Sequence, residues 1–283
     1  MPVSQEQSPD TQEAGPLPGH PRSAHPFEDR INTVTTFDPW LWLAAGWKDL
    51  SRAPAYSITM GVVFAGLGLI VTAGLYYMGL PYLIWPMAAG FILIAPVFCT
   101  GFYGISRRLE QGEKPAWNDV FMTWRVHTGS VLGAGLALVF FMLIWVRLAA
   151  LIYAINFPHS SLSVRDIAVE TLFTTDGLVF LSVGTTIGGV LATFAFLVSA
   201  VSLQTIVDGK ATFVPAVLIS ILSVFRNFLP MLIWAAIIVL FMVAGFAFAY
   251  IGLVITLPLI GHASWHAYRA VVRSPAEDAL KVN

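Results

Sequence analysis

The chain predicts an all-α membrane protein: six transmembrane helices arranged as three parallel repeats, each a cytoplasmic interfacial amphipathic helix followed by a transmembrane hairpin. Three observations carry this expectation. Apolar stretches fill most of residues 55–268, and at least four are long enough to cross a bilayer, which takes about 20 apolar residues at roughly 1.5 Å of rise each. The composition is 57% hydrophobic and only 11% charged, with a mean hydropathy of +0.76, whereas a soluble domain carries about 25% charged residues. Nearly every Lys and Arg lies outside the apolar stretches.

Residues 1–37 read as a disordered cytoplasmic tail. Pro2, Pro9, Pro16, Pro18, Pro21 and Pro26 interrupt a run rich in Ser, Gln, Glu and Gly, which buries too little apolar surface to offset its ordering entropy. It has no basic start followed by an apolar core, so it does not read as a secretory signal. The membrane domain is then 38–272, with 273–283 a cytoplasmic C-terminal tail.

The first hairpin is expected at 56–77 and 81–105, the third span at 130–153, and the fourth within 178–207. Residues 229–268 must hold two more, with Gly245 near their turn. Arg226 is placed at the interface, because a guanidinium deep in lipid costs roughly 2.5–3.5 kcal/mol on insertion scales. Lys48, Arg52, Arg107, Arg108, Lys114, Arg125, Lys210, Arg226, Arg269 and Arg273 then all fall on one side, and only Arg165 lies in an opposite loop. By the positive-inside rule both termini face the cytoplasm. Cys99 is alone, inside span two, so it has no internal disulfide partner.

The segments before the hairpins resemble one another. Asp38-Pro39 opens a helix start that runs to Trp47-Lys48-Asp49; Lys114-Pro115 opens a second, to Trp124-Arg125; Pro215 opens a third, to Phe225-Arg226. Bulky residues recur seven apart, at Trp40 and Trp47, Trp117 and Trp124, and Leu218 and Phe225. That spacing is two helical turns, so each pair shares a face. Trp40, Trp47, Lys48, Trp117, Trp124, Arg125, Phe225 and Arg226 are therefore expected as interfacial anchors facing lipid, rings at the acyl boundary and cations outward. The hairpin exits match as well: Arg107 follows Pro96 by eleven residues, Arg269 follows Pro258 by eleven, and Tyr103 and Trp265 hold equivalent places.

Gly46-Trp47-Lys48-Asp49, Gly101-Phe102-Tyr103-Gly104-Ile105-Ser106-Arg107-Arg108 and Glu113-Lys114-Pro115-Ala116-Trp117 resemble the bacterial six-span integral membrane family called domain of unknown function 2189, over roughly residues 35–272. The resemblance implies a six-helix protein of the bacterial inner membrane and assigns no chemistry.

Few residues suggest chemistry. His262 and His266 lie one turn apart, a spacing that can hold a metal or haem iron on one helix face; the alternative is an amphipathic interface pair among Trp265 and Tyr268. Arg147 is the one cation within a span, and its place along the helix puts it near the outer interface, where it can snorkel to water; the alternative is an intramembrane functional charge that makes an ion pair or anion contact. Gly129-x-x-x-Gly133 and Gly184-x-x-x-Gly188 suit close helix packing, and Pro86, Pro96, Pro230 and Pro258 are expected to kink their helices. No nucleophile elbow, phosphate loop or zinc-protease motif occurs, and no cofactor is called for.

The expected function is that of a structural or interaction protein, not an enzyme, whose partners are membrane lipids and other membrane proteins or a second copy, with no nucleic acid. A small-solute or lipid transporter or channel is the alternative, weakened because no Asp or Glu lies deep in a span. Metal or haem binding through His262 and His266 is the second alternative.

Overall fold

A computed structural model describes residues 27–120, 128–157, 169 and 171–273. The apolar stretches form helices with the expected order. α1 (Asp38–Arg52) precedes α2 (Pro54–Tyr77), and a 3-10 turn at Pro81–Leu83 leads into α3 (Ile84–Phe98) and α4 (Thr100–Glu110). α5 (Thr128–Asn156) is followed by α6 (Thr175–Ser199), α7 (Ser202–Val207), α8 (Phe213–Arg226), α9 (Phe228–Ala247) and α10 (Leu253–Val271).

Among the described residues five segments are long and apolar enough to span a membrane: Pro54–Tyr77, Pro81–Glu110, Thr128–Asn156, Thr175–Val207 and Phe228–Ala247. α10 is not among them. It carries His262, Ser264, His266 and Arg269, and it tolerates them because protein, rather than lipid, surrounds it. Thirteen of its nineteen residues are buried; α1, α2, α4 and α9 pack along it. The outward faces of the other helices are apolar, as at Ile70 and Leu67 of α2 and Phe140 and Leu136 of α5.

Both described ends sit on one face. Ile31 and Val272 form an isolated antiparallel bridge, flanked by Asn32 N–H to Val271 O at 2.8 Å and Arg273 N–H to Arg30 O at 2.8 Å. Asn227, at the α8–α9 joint, accepts from Val34 N–H at 2.8 Å and donates to Asn32 O at 2.9 Å. The boundary of the tail therefore moves: Ile31 is buried and residues 31–34 are bonded to the bundle, while residues 1–26 lie outside the described residues. The backbone breaks at Asn227, so α8 ends at Arg226 and does not run on into the next span.

The prolines divide by position. Pro86 and Pro230 fall in the first turns of α3 and α9, where the missing N–H has no intrahelical acceptor to lose, so neither is the mid-helix kink expected. Pro96 and Pro258 lie inside helices. At Pro258 the carbonyl deprived of its N–H is that of Val254, four residues earlier. That oxygen rests against Gly61 of α2: a Cβ built there would meet Val254 O at 2.4 Å. The glycine Cα–H thus faces the freed carbonyl. Gly61→Ala is expected to cost about 1–3 kcal/mol in reversible unfolding in detergent, whereas Gly66→Ala, with nothing within 4 Å of its Cβ position, leaves the midpoint unchanged or slightly raised.

Candidate functional site

The polar side chains inside the bundle gather on the face that carries both described ends. α1 presents Pro39, Trp42, Gly46, Asp49 and Leu50 inward. Gly46 permits this approach, since a Cβ there would lie 2.6 Å from the Ala263 nitrogen of α10. Asp49 is thereby carried to 5% exposure, where its Oδ2 meets His266 Nε2 at 2.7 Å. Ser106 Oγ of α4 lies 2.8 Å from His262 Nδ1, and its hydroxyl also favours the ionised form of the Asp49 carboxyl. On the other side of that ring, His262 Nε2 is 2.9 Å from Ser57 Oγ in the first turn of α2. His266, Asp49, Ser106, His262 and Ser57 form one continuous chain that joins α1, α2, α4 and α10. Phe102 closes over the His262 ring edge-to-face at 5.3 Å.

Proton counting defines what this chain can do. Ser57 Oγ also lies 2.9 Å from Ala53 O, so the two hydroxyls and the His262 ring share four contacts. With a singly protonated ring they bring three protons, and one contact stays unmade; a doubly protonated ring brings four, with Asp49 as its counter-charge. Any of the four contacts can be the one unmade, so several neutral arrangements compete, with Ser106 donating to Asp49 in some and to His262 in another. Burial of Asp49 pushes its carboxyl up, but bonds from His266 and Ser106 outweigh this and hold it below the usual carboxylate value.

A second cluster lies on the same face. Asp208, after α7, accepts from Tyr268 Oη at 2.7 Å and pairs with Lys210 Nζ at 2.8 Å and Arg107 Nε at 3.6 Å. Glu110 accepts from Trp265 Nε1 at 3.1 Å and from Arg269 Nε at 2.9 Å. Arg108 pairs with Asp119 and Glu113. The ends of α4, α7 and α10 are thus tied by charge.

Against the expectations, His262, Trp265 and Tyr268 are fully buried, not amphipathic residues at an interface. The two histidines do not point at one ligand: His262 is held by two hydroxyls and His266 by a carboxylate. Among the described residues no three of His, Cys, Asp and Glu are grouped to hold a metal. Trp40, Trp47, Trp117 and Phe225 are outward-facing and exposed, as are Lys48 and Arg226; Trp117 leans on Tyr56 at 4.8 Å. Trp124, Arg125 and His127 lie outside the described residues. Arg147 is exposed on α5, nineteen residues from its start and so roughly 28 Å along it. Gly133 and Gly188 do serve close packing, against Phe213 and Trp145, whereas Gly129 and Gly184 meet nothing.

Sequence reasoning missed Asp49, Ser57 and Ser106. The available signal was the spacing of Trp42, Gly46, Asp49 and Ala53, a second helical stripe beside the tryptophans.

A double-mutant cycle of Asp49→Asn and His266→Ala is expected to show a coupling of about 0.5–3 kcal/mol in detergent unfolding. Because the Asp49 carboxyl is depressed, its contribution is complete above about pH 4 and fades as pH falls toward the folded value. Asp49→Asn removes that acid limb from the stability profile.

No curated protein matches the chain, and no solved structure does. The family model described as Predicted integral membrane protein (DUF2189) matches residues 84–208, a stretch that holds the Gly101–Arg108 and Glu113–Trp117 motifs but not Asp49, His262 or His266. Through this segment, from α3 to the Asp208 that anchors the charged cluster, the chain is similar to the DUF2189 family of predicted integral membrane proteins.

Proposed function

We propose that the protein is a six-span bacterial inner-membrane protein, both termini cytoplasmic, that acts as a structural or interaction element and not as an enzyme. The observation that carries this reading is the position of α10. A helix buried on thirteen of nineteen residues occupies the interior that a conduit between the hairpins would need. Its half near the termini is braced by the buried polar chain, and around the opposite half the polar side-chain groups are few, namely the buried Thr256 hydroxyl and the Thr72 Oγ1–Tyr250 Oη bond at 2.6 Å beside it. A solute path needs polar lining from side to side; this interior offers it on one side.

Parity supports the six-span count. α9 begins beside Asn227 and α10 ends beside Ile31, both on the face of the termini, so the two form a hairpin. Threefold repetition is supported by the turns after α4 and α7. Gly112 and Gly209 both adopt left-handed φ, +74° and +73°, and both are followed by the same closure: Glu113 N–H to Arg108 O at 2.9 Å and Lys210 N–H to Thr205 O at 3.1 Å. The exposed Trp40, Trp47 and Trp117 give the cytoplasmic face its lipid contacts, and partner membrane proteins or a second copy complete the assembly.

Two measurements test this. Gentle solubilisation and affinity purification are expected to recover a stoichiometric membrane-protein companion or a homo-oligomer; a bare monomer that conducts solutes in proteoliposomes refutes the reading. In intact cells an impermeant maleimide is expected to label Tyr77→Cys and Ile251→Cys from outside, and Lys114→Cys only after permeabilisation. Protection of Ile251→Cys reduces the last hairpin to a re-entrant loop.

A further inference from the structure

We propose that the groove between α3, α6 and α9 is a binding site for one acyl chain of a phospholipid in the leaflet on the terminus-bearing side, with the lipid phosphate at Arg226. The groove encloses about 340 Å³. Its floor is formed by Leu93, Ala195 and Ser199 and its rim by Phe225, Phe228 and Val239; the floor residues are buried and the rim residues exposed. It lies along spans that the family likeness and the apolar helices put in the membrane, so lipid is what bathes it.

Three features specify the occupant. The wall hydroxyls are committed to their own helices: Thr193 Oγ1 donates to Gly189 O at 2.8 Å and Ser199 Oγ to Ala195 O at 2.7 Å. The groove therefore recognises hydrocarbon. Its extent along α9, from Phe228 to Val239, is eleven residues or roughly 16 Å, about half of a hydrocarbon core of about 30 Å. That is the reach of one leaflet's chain and too short for a molecule crossing the bilayer. At the end near the termini, the Phe225 rim is followed directly by the exposed Arg226, a cation where a lipid phosphate lies. The lining itself carries no charge, as in the second apolar cavity of about 270 Å³ among Phe64, Met87 and Phe246; Arg226 adjoins the groove through Phe225.

The test uses the full chain reconstituted in phosphatidylglycerol–phosphatidylcholine vesicles doped with a phospholipid that carries a photoreactive diazirine at mid-chain, with crosslinks mapped by peptide mass spectrometry. Labelling is expected to concentrate on Leu93 and Ala195 relative to the exposed Leu240 and Ile70. Ala195→Phe fills the floor and abolishes the concentration. Thr193→Phe blocks the exposed wall without removing a tertiary bond, and serves where Ala195→Phe fails to fold. Arg226→Gln lowers groove labelling about fivefold, the effect of one interfacial cation. Even labelling over the whole apolar surface, or groove labelling unchanged in Thr193→Phe, overturns the site. Labelling unchanged in Arg226→Gln overturns the placement of the phosphate.

Discussion

Everything in this bundle depends on how α10 is held. Helices in lipid gain little by leaving it, since acyl chains are as apolar as leucine; close contact and interhelical polar bonds must supply the attraction. α10 uses both. Gly46 and Gly61 bring α1 and α2 against its backbone at Ala263 and Val254, Gly245 admits Leu253 and Thr256, and its own Gly261 admits Phe102. The chain from His266 to Ser57 then fastens the same helices with directional bonds. A helix so enclosed need not be uniformly apolar, and this accounts for its failing the composition expected of a span.

The asymmetry between the two ends of the bundle follows from the same constraint. Charged and hydroxylic groups cluster where the termini meet, at Asp49, Asp208 and Glu110, and there the pairs tie α1, α4, α7 and α10 into one plate. The other end is held by rings: Tyr82 stacks on Tyr153 at 4.7 Å, and Phe157 and Phe180 meet at 5.3 Å. Trp145 Nε1 reaches Pro86 O at 2.7 Å. Aromatic groups with one polar atom suit a membrane–water boundary, and they hold α3, α5 and α6 together where charge is scarce.

What the sequence made legible was whatever depends on local length and apolarity. The limits of the five candidate spans came within a few residues, because a bilayer sets the length of each helix, and the joint at Arg226 was readable from the cost of burying it. The polar site was not readable, and the reason is physical. In a soluble helix the bulky apolar stripe faces the core, so Trp40 and Trp47 draw attention to their own face. In a membrane the bulky stripe faces lipid, and the buried face is the small one, here Gly46 with Asp49 behind it. The histidines failed for a related reason: a position near a helix end looks interfacial until neighbouring helices cover it, and the groups that hold His262 and His266 are 156 to 217 residues away in the chain.

The two matched prolines show how far likeness of sequence carries likeness of structure. Pro96 and Pro258 stand the same distance before Arg107 and Arg269, and each deprives a carbonyl four residues back of its donor. After Pro96 the helix gives way at Cys99 and restarts as α4; through Pro258 it continues unbroken to Val271. The difference is in the neighbour. Val254 O is received by the bare Cα of Gly61, so the strain at Pro258 is absorbed by a partner helix in van der Waals contact. Ile92 and Pro96 instead line the apolar groove. Equivalent residues thus produce an intact helix in the centre of the bundle and a jointed one at its edge, and the jointed edge is where a concave surface for a flexible hydrocarbon chain can form.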